Sequence, residues 1–184
     1  IIRGGGPNEN RFYLDGIEIP AINHFSTQGS SGGPVGMINV NFIGDVDFYT
    51  GAFPANRGNT MSSLMEINLK DGRNDKIGGI FQVGASDVGL TLEGPIGDKT
   101  TFLASARRSY LQFLFAALEL PFLPTYNDFQ FKVKHNFNRK NQITILGLGA
   151  IDNFALNLDA NETEEQQYIL NYLPVNEQWN YSIG

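Results

Sequence analysis

Apolar and polar residues alternate along most of the chain after residue 76. The clearest example is FQFKVKHNF, residues 129–137, in which Phe129, Phe131, Val133 and Phe137 share one strand face and the even-numbered positions are polar. Similar alternation runs through VGLTLE and QITILGLGAI. A period of two residues predicts antiparallel strands that carry one apolar and one polar face.

The first 70 or so residues have a different pattern. IIRGGG, LDGIEI, FIGDVDFYTG and LMEINLKDG are short apolar runs that end at Gly or Asp-Gly, which predicts short strands joined by turns. Residues 20–36, PAINHFSTQGSSGGPVG, hold too much Gly, Ser and Pro for a regular element. We predict a loop there.

Two folds produce alternating strands of this kind. In a soluble β-sandwich the apolar face covers a core, whereas in a membrane barrel it faces lipid. Strands of about ten residues suffice for a tilted crossing of the bilayer. The predicted connections also alternate between tight turns (GPIGDK, NRKN) and long segments (118–126 and the acidic 152–178), as they do in outer-membrane barrels.

Aromatic residues near the predicted strand ends are typical of interfacial girdles: Phe102, Tyr110, Tyr126, Phe129, Phe137 and Phe154. Together these features favour the barrel.

One segment has helical rather than strand spacing. In SYLQFLFAALEL, Leu111, Leu114, Phe115 and Leu118 recur at intervals of three and four residues. We predict a short helix that packs as a lid on the rim of the barrel.

Composition narrows the functional classes. The chain has 19 acidic and 13 basic residues and a net charge of -6, which argues against a nucleic-acid-binding surface. It has no cysteine and only two histidines, so we predict neither a metal site nor a cofactor. The chain begins with neither an initiator Met nor a signal peptide. We therefore expect a piece of a longer protein.

Four motifs in the first region resemble the plug domain of TonB-dependent outer-membrane receptors, in particular those of the Bacteroidetes. They are IRGG at 2–5, YLDGIEI at 13–19, FIGDVDFYTGAFPANRGN at 42–59 and LMEINLK at 64–70. EGPIGDKTTFLASARRSYL and LPTYNDFQFKVKHNF resemble early barrel strands of the same family. The resemblance implies a mainly β chain: residues 1–73 as the carboxyl-terminal part of the plug, and 74–184 as the first antiparallel strands of a 22-stranded transmembrane barrel.

The resemblance also implies a function. Receptors of this family bind a scarce nutrient at the surface of a Gram-negative cell, whether a ferric chelate, cobalamin, a glycan or a peptide. TonB then displaces the plug through a short segment that would lie upstream of Ile1. Expected partners are TonB, outer-membrane lipid, the nutrient and, in some members, a surface lipoprotein. No catalytic residue is expected.

Roles for individual residues follow from the same resemblance. Arg3 corresponds to an arginine that fixes the plug to glutamates of the barrel wall, although a solvated arginine at a strand end is the simpler alternative. Two positions depart from the family pattern: Thr50 replaces a basic residue, and Arg57 replaces a tyrosine. The structural motif of the plug would comprise Gly4, Asp15, Gly16, Gly51, Pro54 and Gly58. The ligand-facing loops would present Asn8, Glu9, Asn10, Asn23, His24 and Phe25, unless these are ordinary polar turn residues.

The string GSSGGPV, which contains Ser31, raises a second possibility because it resembles the nucleophile loop of trypsin-like proteases. Such an enzyme needs its His and Asp well upstream of the serine, whereas His24 lies only a few residues before Ser31 and His135 lies after it. A serine hydrolase that uses Ser31 therefore stays a minor alternative. A passive barrel or surface adhesin without energy coupling is the other.

Overall fold

The computed structural model describes Ile2 and residues 4–26, 33–173 and 175–184. The chain divides into two compact units, one extending to Gly72 and including Gly184, the other spanning Arg73–Ile183. Both units are built mainly from strands, as the alternation and the short apolar runs predict.

The first unit contains a mixed four-stranded sheet and a two-stranded ribbon. Its strands are β1 (Asn10–Leu14), β2 (Ile17–Ile19), β3 (Asn23–His24), β4 (Val35–Gly36), β5 (Ile43–Tyr49) and β6 (Ser63–Leu69), with short 3₁₀ turns at Pro7–Glu9 and Val40–Phe42. The sheet has the order β2-β1-β6-β5, in which β1 runs parallel to β6 and the other neighbours are antiparallel. β3 pairs with β4. Apolar side chains are buried on the central strands β1 and β6, among them Leu14, Leu64 and Ile67.

The second unit is a meander of six antiparallel strands. Its elements are β7 (Gly78–Val83), β8 (Asp87–Pro95), β9 (Thr100–Ser109), α1 (Leu111–Ala117), β10 (Phe122–Asn136), β11 (Gln142–Leu156), α2 (Glu164–Tyr172) and β12 (Asn176–Ile183). Strands that are consecutive in the chain are neighbours in the sheet, so β7 and β12 form its two edges. Neither helix of the described residues has the length and apolar character needed to cross a membrane.

The predicted helix is confirmed as α1, but two predicted connections are wrong in part. β10 and β11 each have 15 residues, so Phe122–Tyr126, predicted as connection, belong to β10. Residues 152–178 were expected to form one long loop, but they include the end of β11, all of α2 and the start of β12. Residues 96–99 and 137–141 are tight turns at one end of the sheet, whereas 110–121 and 157–175 are long segments at the other. Residues 84–86 form a short turn at the end of the long segments, so the predicted alternation in length holds only from β8 onward.

The two faces of the six-stranded sheet have opposite character. Phe129 is 49% exposed, whereas its neighbour Gln130 is 3% exposed. The same inversion holds along β8, where Leu92 is exposed and Thr91 is buried. On β11 Ile145 is exposed and Asp152 is buried, but Leu146, Leu148 and Ala150 are buried on the Asp152 face as well, so that face is mixed there. A soluble sandwich would bury the apolar face, so this sheet has the polarity of a membrane barrel wall.

Candidate functional site

Apolar residues on the exposed face line up in rows across neighbouring strands. One row runs through all six strands in register: Phe81, Leu90, Ala106, Phe129, Gly149 and Tyr181. On β11 such rows extend from Ile143 to Ile151, a distance of roughly 27 Å at the usual rise of a strand. We call this exposed apolar surface the apolar belt. Its height along the strands suits the lipid-facing band of an outer-membrane barrel.

Two glycines within the apolar belt make room for aromatic rings. Gly147 faces Phe131 and Gly149 faces Phe129 across the β10–β11 pair. A Cβ atom at Gly149 would lie 2.2 Å from the ring of Phe129, and one at Gly147 would lie 2.3 Å from the ring of Phe131. The rings therefore lie over the glycine backbone and cover surface that has no side chain of its own.

The opposite face of the sheet, here called the polar wall, carries buried polar side chains. An ion pair between adjacent strands is its best-defined contact. Arg107 of β9 is the register partner of Asp128 of β10, and its Nε lies 3.0 Å from both carboxylate oxygens, while Nη2 lies 2.8 Å from Oδ2. Asp128 is fully buried, so this bidentate pair compensates a carboxylate that would otherwise be costly to desolvate. Other buried polar side chains of this face are Thr91, Ser105, Ser109, Tyr126, Gln130, Lys132 and Asp152. The same face also buries four apolar side chains, Leu103, Leu146, Leu148 and Ala150.

Tyr126 is held in the polar wall by two hydrogen bonds. Its hydroxyl donates to Asp87 Oδ2 at 2.6 Å, and its backbone N–H donates to Ser109 Oγ at 2.9 Å. The side chain is 0% exposed. The prediction that Tyr126 belongs to an interfacial aromatic girdle is therefore wrong, because the ring points to the polar face.

The polar wall offers hydrogen-bonding groups and paired charges along one face. Such a surface suits contact with water, with a polar solute or with a polar protein segment, as the lumen of a large barrel requires. Within the described ranges, no three His, Asp or Glu side chains are grouped so that they would hold a metal ion.

The first predicted ligand loop lies before and at the start of β1. Asn8 and Glu9 belong to the 3₁₀ turn, where Asn8 is exposed and Glu9 is half-buried. Asn10 is the first residue of β1, and its Oδ1 accepts a hydrogen bond from Ser63 Oγ at 2.6 Å. Asn8 and Glu9 are thus accessible in this unit, while the amide of Asn10 is tied to β6.

The second predicted loop lies at β3. His24 is 0% exposed, so it is a packed residue rather than a surface contact. Asn23 is half-buried, and its carbonyl accepts a hydrogen bond from Ser26 Oγ at 2.7 Å. Phe25 adopts a φ of 55°, a conformation that is strained for a bulky side chain, and its ring is partly exposed. Of this group, Asn23 and Phe25 keep an accessible surface.

Asp15 and Gly16 form the most clearly determined part of the plug-like motif. They are the two residues between β1 and β2, and their φ angles are 48° and 83°, as a type I′ hairpin turn requires. The carboxylate of Asp15 also accepts a hydrogen bond from the backbone N–H of Leu69 at 2.8 Å. This second role links the turn to the end of β6, and the sequence alone did not reveal it.

The other motif residues have less uniform roles. Gly4 has a φ of 78°, which favours glycine. The carbonyl of Pro54 accepts a hydrogen bond from Arg57 N–H at 2.9 Å, as in a turn. Gly51 lies in a bend, and a Cβ at Gly58 would meet open space. Arg3 and Ser31 lie outside the described residues, so the proposed roles of both stay predictions.

Arg57, which stands where the plug motif that this chain resembles has a tyrosine, contacts two strands of the first unit. Its Nε donates to Glu66 Oε1 of β6 at 2.5 Å, and its guanidinium lies 4.4 Å from the centre of the Tyr13 ring of β1. Burial raises the pKa of the Tyr13 hydroxyl, and the charge of Glu18 adds to the effect. Arg57 therefore fastens the 50–60 segment to two strands of the first unit through an ion pair and a cation–π contact.

Comparison with known proteins finds similarity in structure but not in sequence. No protein-family model matches the chain, and no curated protein matches it in sequence. The ferric enterobactin receptor of Pseudomonas aeruginosa, in complex with enterobactin, matches 98% of this chain with a TM-score of 0.61 and 13% identity. The pyoverdine outer membrane receptor FpvA of Pseudomonas aeruginosa PAO1, bound to pyoverdine, matches 84% with a TM-score of 0.58 and 16% identity.

The chain spans only part of each of these receptors, 31% and 22% of their lengths. Both likenesses extend over most of this chain, yet sequence identity is low. They therefore show that this chain has the fold of a segment of outer-membrane receptors.

Proposed function

We propose that this chain is part of an outer-membrane receptor that imports a scarce nutrient into a Gram-negative cell. The observation that carries the proposal is the opposed polarity of the six-stranded sheet, with an exposed apolar belt on one face and a buried polar wall on the other. This arrangement suits a wall between lipid and a polar lumen. The shared fold with two receptors in complex with their ligands supports it.

Within this proposal, residues 1–73 belong to a plug domain and residues 74–184 to the first strands of a 22-stranded barrel of the type found in the Bacteroidetes. The plug would close the lumen until TonB, acting through a segment upstream of Ile1, displaces it. Arg3 would take part in the contact that keeps the plug in place.

The ligand would be a polar small molecule or oligomer, namely a ferric chelate, cobalamin, a glycan or a peptide. Asn8, Glu9, Asn23 and Phe25 combine amides, a carboxylate and an aromatic ring that remain accessible within the first unit. Asn10 would contribute mainly by holding the loop. His24 is not retained as a ligand contact because it is fully buried. A surface lipoprotein remains a candidate partner.

Uptake measurements on the full-length protein test energy coupling. Candidate nutrients are offered to cells that depend on this receptor, in strains with and without TonB. We expect growth or uptake only when TonB is present. Equal uptake in both strains would identify a passive barrel, and surface binding without any uptake would identify an adhesin.

We also propose that the protein has no enzymatic activity. A fluorophosphonate probe tests the serine hydrolase alternative directly, since it labels an activated serine nucleophile. We expect no labelling of the full-length protein. Labelling that disappears in Ser31→Ala would establish the hydrolase instead.

A further inference from the structure

Three cations lie together at the end of the six-stranded sheet that carries the tight turns. Lys99 ends the turn between β8 and β9, and Arg139 and Lys140 lie in the turn between β10 and β11. All three are exposed, and Lys99 lines one cleft with residues 136–142, here called the basic turn cleft. Asp98 is exposed beside Lys99, which leaves an excess of positive charge. Across the described residues, none of the three cations forms an ion pair.

The backbone of the basic turn cleft is well organised. Asn138 Oδ1 accepts hydrogen bonds from the backbone N–H groups of Lys140 and Asn141, at 2.9 and 3.0 Å. The backbone N–H of Asn136 donates to the carbonyl of Lys99 at 2.9 Å, which joins the two turns. Arg139, Lys140 and Lys99 are therefore presented from a fixed frame rather than from independent loops.

The basic turn cleft is continuous with the apolar belt. Phe137 lines the cleft and is exposed, and its ring packs edge-on against His135 with centroids 4.7 Å apart. Ile96 and Ile143 are also exposed next to the two turns. An anion bound by the three cations would thus lie directly beside an apolar surface. A free phosphate would use only the cations, whereas an anionic lipid would use both features.

We propose that the basic turn cleft binds the phosphate headgroup of an anionic phospholipid, whose acyl chains lie along the apolar belt. Clusters of Lys and Arg at the border of a membrane-spanning surface attract anionic headgroups. In outer-membrane barrels short turns face the periplasm, which assigns this lipid to the periplasmic leaflet. The inference rests on the proposed insertion into the outer membrane but not on the identity of the transported nutrient.

Native mass spectrometry of the full-length protein in detergent tests this proposal. Dioctanoyl phosphatidylglycerol is the probe, with dioctanoyl phosphatidylcholine and inorganic phosphate as separate comparisons. The test variant is Lys99→Gln/Arg139→Gln/Lys140→Gln. The matched control is Arg108→Gln, which removes an exposed cation at the opposite end of β9.

We expect the phosphatidylglycerol affinity of the triple variant to fall by at least about tenfold, and that of Arg108→Gln to stay near the wild-type value. Phosphatidylcholine and inorganic phosphate should bind much more weakly than phosphatidylglycerol. The proposed lipid site would be overturned if the triple variant and Arg108→Gln lost phosphatidylglycerol affinity to the same extent. It would also be overturned if inorganic phosphate bound the wild-type protein as tightly as phosphatidylglycerol does. Nutrient uptake by the triple variant is measured in parallel: uptake that persists while lipid binding is lost separates this inference from the proposed receptor function.

Discussion

Asp15 combines two structural roles in one side chain. Its backbone occupies the first position of the type I′ turn, and its carboxylate accepts the N–H of Leu69 at 2.8 Å. Since Asn also tolerates a positive φ and retains an amide oxygen, Asp15→Asn is a conservative replacement. Asp15→Ala removes the acceptor and places a β-carbon in the left-handed region without any compensation.

We expect Asp15→Ala to weaken local stability around Leu69 by about 1.5 kcal/mol and to accelerate exchange of the Leu69 amide by about tenfold. Hydrogen exchange followed by mass spectrometry on the full-length protein measures this directly. Asp15→Asn should exchange nearly as slowly as the wild type. Wild-type protection of Leu69 in Asp15→Ala would show that the carboxylate contact is unimportant.

A second prediction at the scale of the residue concerns Gly149, which lies beneath the ring of Phe129. Gly149→Ala places a methyl group where the ring of Phe129 now lies, so the ring must turn away from the strand. We expect the free energy of unfolding of the full-length protein to fall by about 1–3 kcal/mol, measured by urea unfolding in lipid vesicles. Gly58→Ala is the control, because open space surrounds that position.

The Phe129→Leu substitution tests whether Gly149→Ala is destabilising because its methyl group overlaps the ring of Phe129. Added to Gly149→Ala, it removes the ring from the strand and should restore part of the lost stability. A Gly149→Ala variant as stable as the wild type, or a double variant whose losses simply add, would contradict the proposed packing.

At the scale of the element, the prediction concerns the exposed rows of residues that form the apolar belt. Leu92 lies in the row of Phe131 and Gly147, midway along the belt. If the apolar belt faces lipid, as proposed, a lysine there lies near the middle of the bilayer, at a cost of roughly 2–4 kcal/mol. We expect Leu92→Lys to reduce the heat-resistant, folded fraction of the full-length protein on gels of outer-membrane preparations.

Asn153→Lys is the matched control for this charge. Asn153 lies on the same face but beyond the apolar belt, where it pairs in register with Thr125 and Glu177. Lysine at this height is close to water and opposite a carboxylate, so the folded fraction should not change. If Leu92→Lys folds as well as Asn153→Lys, the exposed apolar face does not contact lipid.

The same elements show how far the sequence is informative. Alternation predicts the strands and the two-faced sheet because a strand's side chains point alternately to its two sides. It does not predict where β10 begins, since Phe122–Tyr126 contain Pro124 and resemble a loop in composition. Nor does alternation reveal that the polar positions would be buried; that depends on the surroundings of the sheet rather than on any single strand.

Helix α2 is a different case, because the sequence contains a local signal for its start. Thr163 and Gln166 form a capping box in which each side chain receives a hydrogen bond from the other residue's backbone. Ser or Thr followed three residues later by Glu or Gln is a recognised start of a helix. By contrast, the contacts of Arg57 with Glu66 and Tyr13 join distant parts of the chain, and no local pattern predicts them.

At the scale of the whole chain, the connections at the two ends of the six-stranded sheet differ in charge. The long segments 110–121 and 157–175 contain acidic residues and no Lys or Arg, whereas the tight turns carry Lys99, Arg139 and Lys140. Outer-membrane barrels place long loops outside the cell and short turns in the periplasm. The two ends of the sheet should therefore face different compartments.

Labelling of introduced cysteines tests this orientation; these 184 residues contain no cysteine, and the unsubstituted full-length protein serves as the background control. Glu165→Cys places a thiol on exposed α2, and Asp98→Cys places one in the exposed turn at the opposite end. A membrane-impermeant maleimide should label Glu165→Cys in intact cells, but Asp98→Cys only after the outer membrane is permeabilised. Labelling of Asp98→Cys alone in intact cells would reverse the proposed orientation. Labelling of both thiols in intact cells would mean that the sheet does not separate the two compartments, and the receptor proposal would then fail together with the apolar belt as a lipid-facing surface.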